Sequence, residues 1–232
     1  MVSGSIAFTL SMILTIAIMV GCYFIIIKIF PDDEQRKIYK KYLMTGLSDE
    51  KRDFVVKSFK EIPFASKGQV ALIIGAEAVP DSDIKLPANK NYNIIAFDEQ
   101  RILHDVFIPD SSNNYKIIDN WKEDLPDLDI VMASFVFALH YSKGFNFSEK
   151  LWHYINSKIK PGGYFIGNFF DPDCKIFDEE FRDKYMSFLT KEQVLFLFKD
   201  YDILNFEEVN KPIEIDKKEY IEHYYEVFAK KK

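Results

Sequence analysis

The sequence predicts an α/β protein: a doubly wound, mostly parallel sheet with an antiparallel C-terminal edge strand, preceded by one transmembrane helix. Three observations carry this. Short, wholly apolar runs recur along the chain, and helix-length stretches with one apolar face lie between them. Runs without polar alternation mark strands covered on both faces, as in parallel sheets. The first of all the apolar stretches, residues 5–27, holds no charged side chain. As a helix of about 23 residues it would measure roughly 35 Å, enough to cross a bilayer core.

That first stretch does not read as a cleaved leader. Residues 1–4 lack the Lys or Arg of a signal peptide, the apolar run is too long, and no A-x-A site follows. Gly21-Cys22 has the look of a lipoprotein site, but the chain stays apolar through residues 23–27. Lys28, Arg36, Lys37, Lys40 and Lys41 follow the run. Positive charge stays on the cytoplasmic side, so the expectation is an N-terminus outside and the rest of the chain in the cytoplasm. Pro31 ends the span. The expected division is residues 1–31 as an anchor, with 5–27 in contact with a lipid bilayer, and 32–232 as one α/β domain. About 200 residues suffice for a sizeable core.

Composition narrows the function. With 30 Lys and Arg against 36 Asp and Glu, the net charge is −6, which excludes nucleic-acid binding by bulk electrostatics. The aromatic share of 16% falls largely in the apolar runs, so it reads as buried strand rather than binding surface. Cys22 and Cys174 lie far apart and no Cys/His cluster exists, which argues against a disulfide framework and structural zinc; no metal site is expected. A reducing compartment fits. Lys230, Lys231 and Lys232 read as a solvated terminus.

The elements follow in order. Residues 32–62 have helical spacing, broken at Gly46-Leu47-Ser48, so that a second helix begins near Ser48. Strands are expected in QVALIIG (69–75), NIIAFD (93–98), residues 115–118, DIVMAS (129–134) and GYFIGNFF (163–170). Pro80 and Pro87 bracket a segment that reads as a poor helix. Residues 148–158 form a helix with Leu151, Trp152 and Ile155 on one face, and 190–199 form another. Residues 201–208 and 222–229 close the domain as a strand pair.

Several of these segments carry a resemblance. DLDIVMASFVFALHY (127–141), KLWHYINSKIKPGGYFIGNFFD (150–171), MSFLTKEQVLFLFKDYDILNFEE (186–208) and HYYEVFAKKK (223–232) occur in this order. Together they resemble the class I S-adenosylmethionine-dependent methyltransferases, and among these the small tellurite-resistance-type branch. The likeness runs from about residue 36 to residue 232. It implies a Rossmann-like fold, S-adenosyl-L-methionine as cofactor, and a small-molecule or metalloid-type methyl acceptor.

The resemblance also implies sites. Gly75 ends the first strand, where glycine lets backbone approach the methionine part of the cofactor. Asp98 ends the second, where a carboxylate accepts hydrogen bonds from both ribose hydroxyls. Asn120, beside Asp119 and Trp121, follows the third strand, on the adenine side. Ala133 and Ser134 end the fourth, where cofactor and acceptor meet. His140 is a candidate base near neutral pH, set against a plain loop histidine. His104, His153 and His223 read as structural or exposed, and Glu207-Glu208 as a solvated turn. The family's first turn has three glycines; here Glu77 and Val79 stand at the second and third positions. Val79 resists a positive φ, and Glu77 brings a carboxylate toward the cofactor's own. Two readings follow: a working methyltransferase, favoured by Asp98, or an inactive methyltransferase-fold scaffold tethered to the membrane.

Overall fold

The computed structural model describes residues 49–74, 81–97, 115–118, 124–133, 147–179, 182 and 187–232. The apolar run at 5–27 lies outside them. Among the described residues, no helix is long and apolar enough to cross a membrane.

The elements in chain order are α1 (Asp49–Glu61), β1 (Val70–Ile74), α2 (Asp81–Asn89), β2 (Asn93–Phe97), β3 (Tyr115–Ile118) and β4 (Leu128–Ala133). They continue with α3 (Phe147–Lys158), β5 (Ile159–Phe170), α4 (Lys191–Leu197), β6 (Tyr201–Ile215) and β7 (Lys218–Lys231). The strands form one seven-stranded sheet in the order β3-β2-β1-β4-β5-β7-β6. Pairing is parallel from β3 through β5 and antiparallel for β5–β7 and β7–β6. The expected antiparallel edge is thus two strands wide, and β7 lies inside β6.

The apolar runs are uniform because both sheet faces are covered. Along β1, Ala71 and Ile73 face α1, while Leu72 and Ile74 face α3 and α4. Phe54, Val55, Phe59 and Ile62 supply the first cover, and Leu151, Trp152, Ile155, Val194 and Phe198 the second. Trp152 meets Phe198 at 4.9 Å and Phe165 at 5.5 Å between ring centroids, both edge to face. Such pairs add about 0.5–1.5 kcal/mol each beyond area burial. Helix α4 starts with a reciprocal cap: Gln193 N–H donates to Thr190 Oγ1, and Thr190 N–H donates to Gln193 Oε1.

Three expectations change. The segment after Pro80 does form a helix, α2, with Pro87 in its last turn. The Pro87 carbonyl accepts from Lys90 and Tyr92 N–H, which closes that end. The strand pair is longer than 201–208 and 222–229; it turns through Asp216 and Lys217, both at positive φ (53° and 62°), between the paired Ile215 and Lys218. Lys231 is not part of a solvated tail, although Lys232 is exposed. Lys231 Nζ donates to the carbonyls of Asn156 (2.5 Å) and Ile159 (3.0 Å), capping the end of α3, and burial lowers its pKa.

At the amino end of the sheet, Asp129 ties three strands together. Its Oδ2 accepts from Val70 N–H (2.8 Å), and its Oδ1 accepts from Gln69 Nε2 (2.9 Å). Lys160 Nζ reaches both oxygens, at 2.9 and 3.0 Å. The Lys-Pro-Gly-Gly stretch makes this possible. Leu128 pairs with Ile159 and Ile130 with Tyr164, so residues 160–163 bulge out opposite Asp129, with Gly162 at φ 81°. Burial of Asp129 pushes its pKa up, but the Val70, Lys160 and Gln69 bonds outweigh it and hold the carboxyl below its usual value.

A carboxyl with a depressed folded pKa stabilises the protein above its unfolded pKa and loses that contribution as pH falls through the folded value. Asp129→Asn is expected to cost about 1–3 kcal/mol in urea unfolding at neutral pH. The stability gap to the wild type should narrow as pH drops below about 4.

Candidate functional site

The register fixes where a ligand site can form. Ile118 pairs with Phe97, Phe97 with Ile74, Ile74 with Ala133, and Ala133 with Gly167. The carboxyl ends of β3, β2, β1 and β4 therefore stand in one row. At about 4.8 Å per strand the row is roughly 14 Å long. From β1 the chain proceeds outward through β2 and β3; from β4 it proceeds the other way to β5. The switch point lies between β1 and β4, where open α/β sheets bind ligands beyond their strand ends.

Of the residues expected at the site, Ala133 is described. It is fully buried at the switch point and packs into the face under α3 and α4. Gly75, Asp98, Asn120, Ser134 and His140 lie outside the described residues, as do Glu77 and Val79. In the chain Gly75, Asp98 and Ser134 each directly follow a strand of the row, and Asn120 follows β3 by two residues.

Gly167 sets how closely β5 approaches this point. A Cβ there would stand 2.6 Å from the Ala133 carbonyl oxygen and 2.8 Å from the Phe165 ring. The β4 end keeps its place because residue 167 has no side chain.

The same sheet edge holds a polar cluster that sequence reading passed over. Strand β5 runs three residues past Gly167 to end at Phe170, and Asp171 follows it. Asp171 Oδ2 accepts from Tyr225 O–H at 2.5 Å, and Oδ1 accepts from Asp173 N–H at 2.7 Å. His223 of β7 lies alongside, its carbonyl accepting from Asp171 N–H at 3.0 Å. Its Nε2 stands 3.1 Å from Glu208 Oε1, and its Nδ1 stands 3.1 Å from Asp171 Oδ1. Lys191 and then His223 hold the Glu208 carboxyl below its usual pKa, while burial and the Asp171 charge push the Tyr225 phenol up. Cys174, buried beside the cluster, has its thiol pushed up by burial.

One sequence reading is corrected here. Glu207 and Glu208 sit within β6, not in a turn, and Glu208 bonds to His223 and Lys191. His223 is buried in a polar network, whereas His153 is exposed. The usable signal was in β7: Glu222, His223 and Glu226 interrupt an otherwise buried apolar strand, and buried polar groups need partners.

No family model matches the chain, and no curated protein matches it in sequence. Solved structures do. TehB from Haemophilus influenzae superposes with a TM-score of 0.56 at 12% identity, over 77% of this chain and 61% of TehB. The chain thus spans less than two thirds of TehB. A SAM-dependent methyltransferase from Anabaena variabilis gives 0.52 at 13% identity, over 84% of this chain and 94% of that one. The chain has the class I SAM-dependent methyltransferase fold. The mostly parallel sheet and its antiparallel C-terminal edge agree with that expectation from sequence.

Gly167→Ala tests the close approach of β5 to the end of β4 directly. It is expected to cost about 1–3 kcal/mol in thermal or urea unfolding, because backbone rather than a mobile side chain must give way.

Proposed function

We propose that this protein is a membrane-anchored SAM-dependent methyltransferase that acts on a small-molecule or metalloid-type acceptor. The single observation that supports it best is the row of strand ends at the switch point of a methyltransferase fold. Strand by strand, the residues that follow this row are suited to successive parts of the cofactor. Asn120 follows β3 and suits adenine. Asp98 follows β2 and suits the ribose, since a carboxylate accepts two hydroxyl hydrogen bonds. Gly75 follows β1 and suits the amino-acid portion. Ser134 follows β4, where the acceptor would enter.

When bound, the cofactor supplies a methyl group on a sulfonium that a lone pair can attack in line. The protein's task is then to position the two reactants and exclude water, so a general base such as His140 is optional. The tellurite-resistance-type resemblance supports a metalloid-type acceptor, for which a soft lone pair needs no deprotonation. The apolar, uncharged run at 5–27 and the basic residues after it support an anchor with the domain in the cytoplasm. The rival reading, a tethered scaffold without catalysis, rests on Glu77 and Val79 in the first turn.

Two measurements test the proposal. Calorimetric titration of the detergent-solubilised full chain with S-adenosylmethionine or its demethylated product should give a Kd of about micromolar order. Asp98→Ala should weaken it by at least about tenfold, the scale of one or two charge-assisted hydrogen bonds. Absence of heat at about millimolar ligand would hand the case to the scaffold. For the anchor, the chain should stay with membranes through alkaline carbonate extraction, whereas a deletion of residues 5–27 should be released. Recovery of the intact chain in the extract would contradict the span.

A further inference from the structure

Among the described residues, one grouping of carboxylate and imidazole side chains gathers three ligand atoms within 4.8 Å of one another: Asp171, Asp173 and His223. The acids alone would be unremarked, since carboxylates often cluster at a strand end. The histidine changes the reading. Its Nε2 faces Glu208 Oε1 at 3.1 Å. Glu208 also receives Lys191 Nζ at 3.0 Å, which keeps it ionised, and a carboxylate can only accept. Nε2 therefore carries the proton in the neutral ring, and Nδ1 presents its lone pair.

That lone pair has no hydrogen-bond partner, although the side chain is only 8% exposed. Nδ1 looks across 3.1 Å at Asp171 Oδ1 without the alignment that a hydrogen bond requires. Two acceptors at that distance repel unless something positive joins them. Protonating the ring would place an N–H off line from the oxygen. A metal ion bound by both needs no such line along the N···O vector. Asp173, the third donor, is exposed, so the point between them opens to solvent. Its backbone N–H, not its carboxylate, makes the turn contact with Asp171, so the carboxylate is left for a ligand.

We propose that Asp171, Asp173 and His223 bind a divalent transition-metal ion at the carboxyl end of β5, with Glu208 orienting the imidazole. An imidazole nitrogen with two carboxylates suits Mn²⁺ or Zn²⁺ better than the all-oxygen preference of Mg²⁺ or Ca²⁺. A carboxylate on the far ring N–H is the usual outer support of a metal-bound histidine, fixing tautomer and ring angle. Tyr225 O–H on Asp171 Oδ2 plays the same part for the carboxylate. Three protein donors leave positions for water or for an oxygen-bearing ligand. The site joins the 171–173 turn to β7 and does not depend on the cofactor reading.

The test uses the tag-free full chain in detergent, stripped with chelator and without S-adenosylmethionine. Mn²⁺ is titrated while its free six-line EPR signal is followed, and Zn²⁺ is titrated by calorimetry. Either ion should bind at one per chain. His223→Gln should abolish binding, and Asp173→Asn and Glu208→Gln should each weaken it by about 10–100-fold. Asp202→Asn, on the far part of β6, should bind as the wild type does. Asp173 is exposed and its side chain supports no backbone contact, so that variant folds and decides the matter. Neither ion binding at about 1 mM, or unchanged affinity in Asp173→Asn, would overturn the proposal.

Discussion

The Asp129 carboxylate is the constraint on which the rest of this structure depends. It accepts hydrogen bonds from the start of β1, from the residue before it and from the bulge of β5. Register in a sheet covered on both faces leaves no room for error, because a slip of one residue would exchange the two faces of the strand that slips. Four polar contacts on one side chain at the amino end thus determine which residues arrive together at the carboxyl end. The row of carboxyl strand ends is positioned from the opposite end of the sheet.

Much of this was legible from the chain. Residues 70–74, 93–97, 115–118 and 128–133 are largely apolar, and all form parallel strands, with 115–118 at the edge of the sheet. Trp152, Leu151 and Ile155 lie on the buried face of α3, as their spacing required. The limits of the strand pair were harder. Asn210, Lys211 and Pro212 look like a loop, yet they pair on β6, an edge strand where polar groups and proline are tolerated. Lys231 reads as an ordinary tail residue because its partners, the carbonyls of Asn156 and Ile159, are over 70 positions away.

The site divides in the same way. A strand end followed by Gly75, Asp98 or Ser134 can be read from sequence, because the fold makes that location predictable. The Asp171–His223–Glu208 cluster could not be read so. Its members come from three elements, and only the polar interruption of β7 around His223 marks any of them in the chain. Only the hairpin register, which sets His223 beside Asn210 and next to the Asp171 amide, brings them together.

The position of β7 carries a consequence for biosynthesis. The strand translated after β6 is the one that must sit between β6 and β5. A nascent chain that has emerged only through Ile215 holds a long β6 with no neighbour to pair with. Closure of the sheet waits for residues 218–231. Until β7 pairs, the hydrogen-bonding edge of β5 is open, and the hairpin at Asp216 and Lys217 then carries β6 to the outer side of β7.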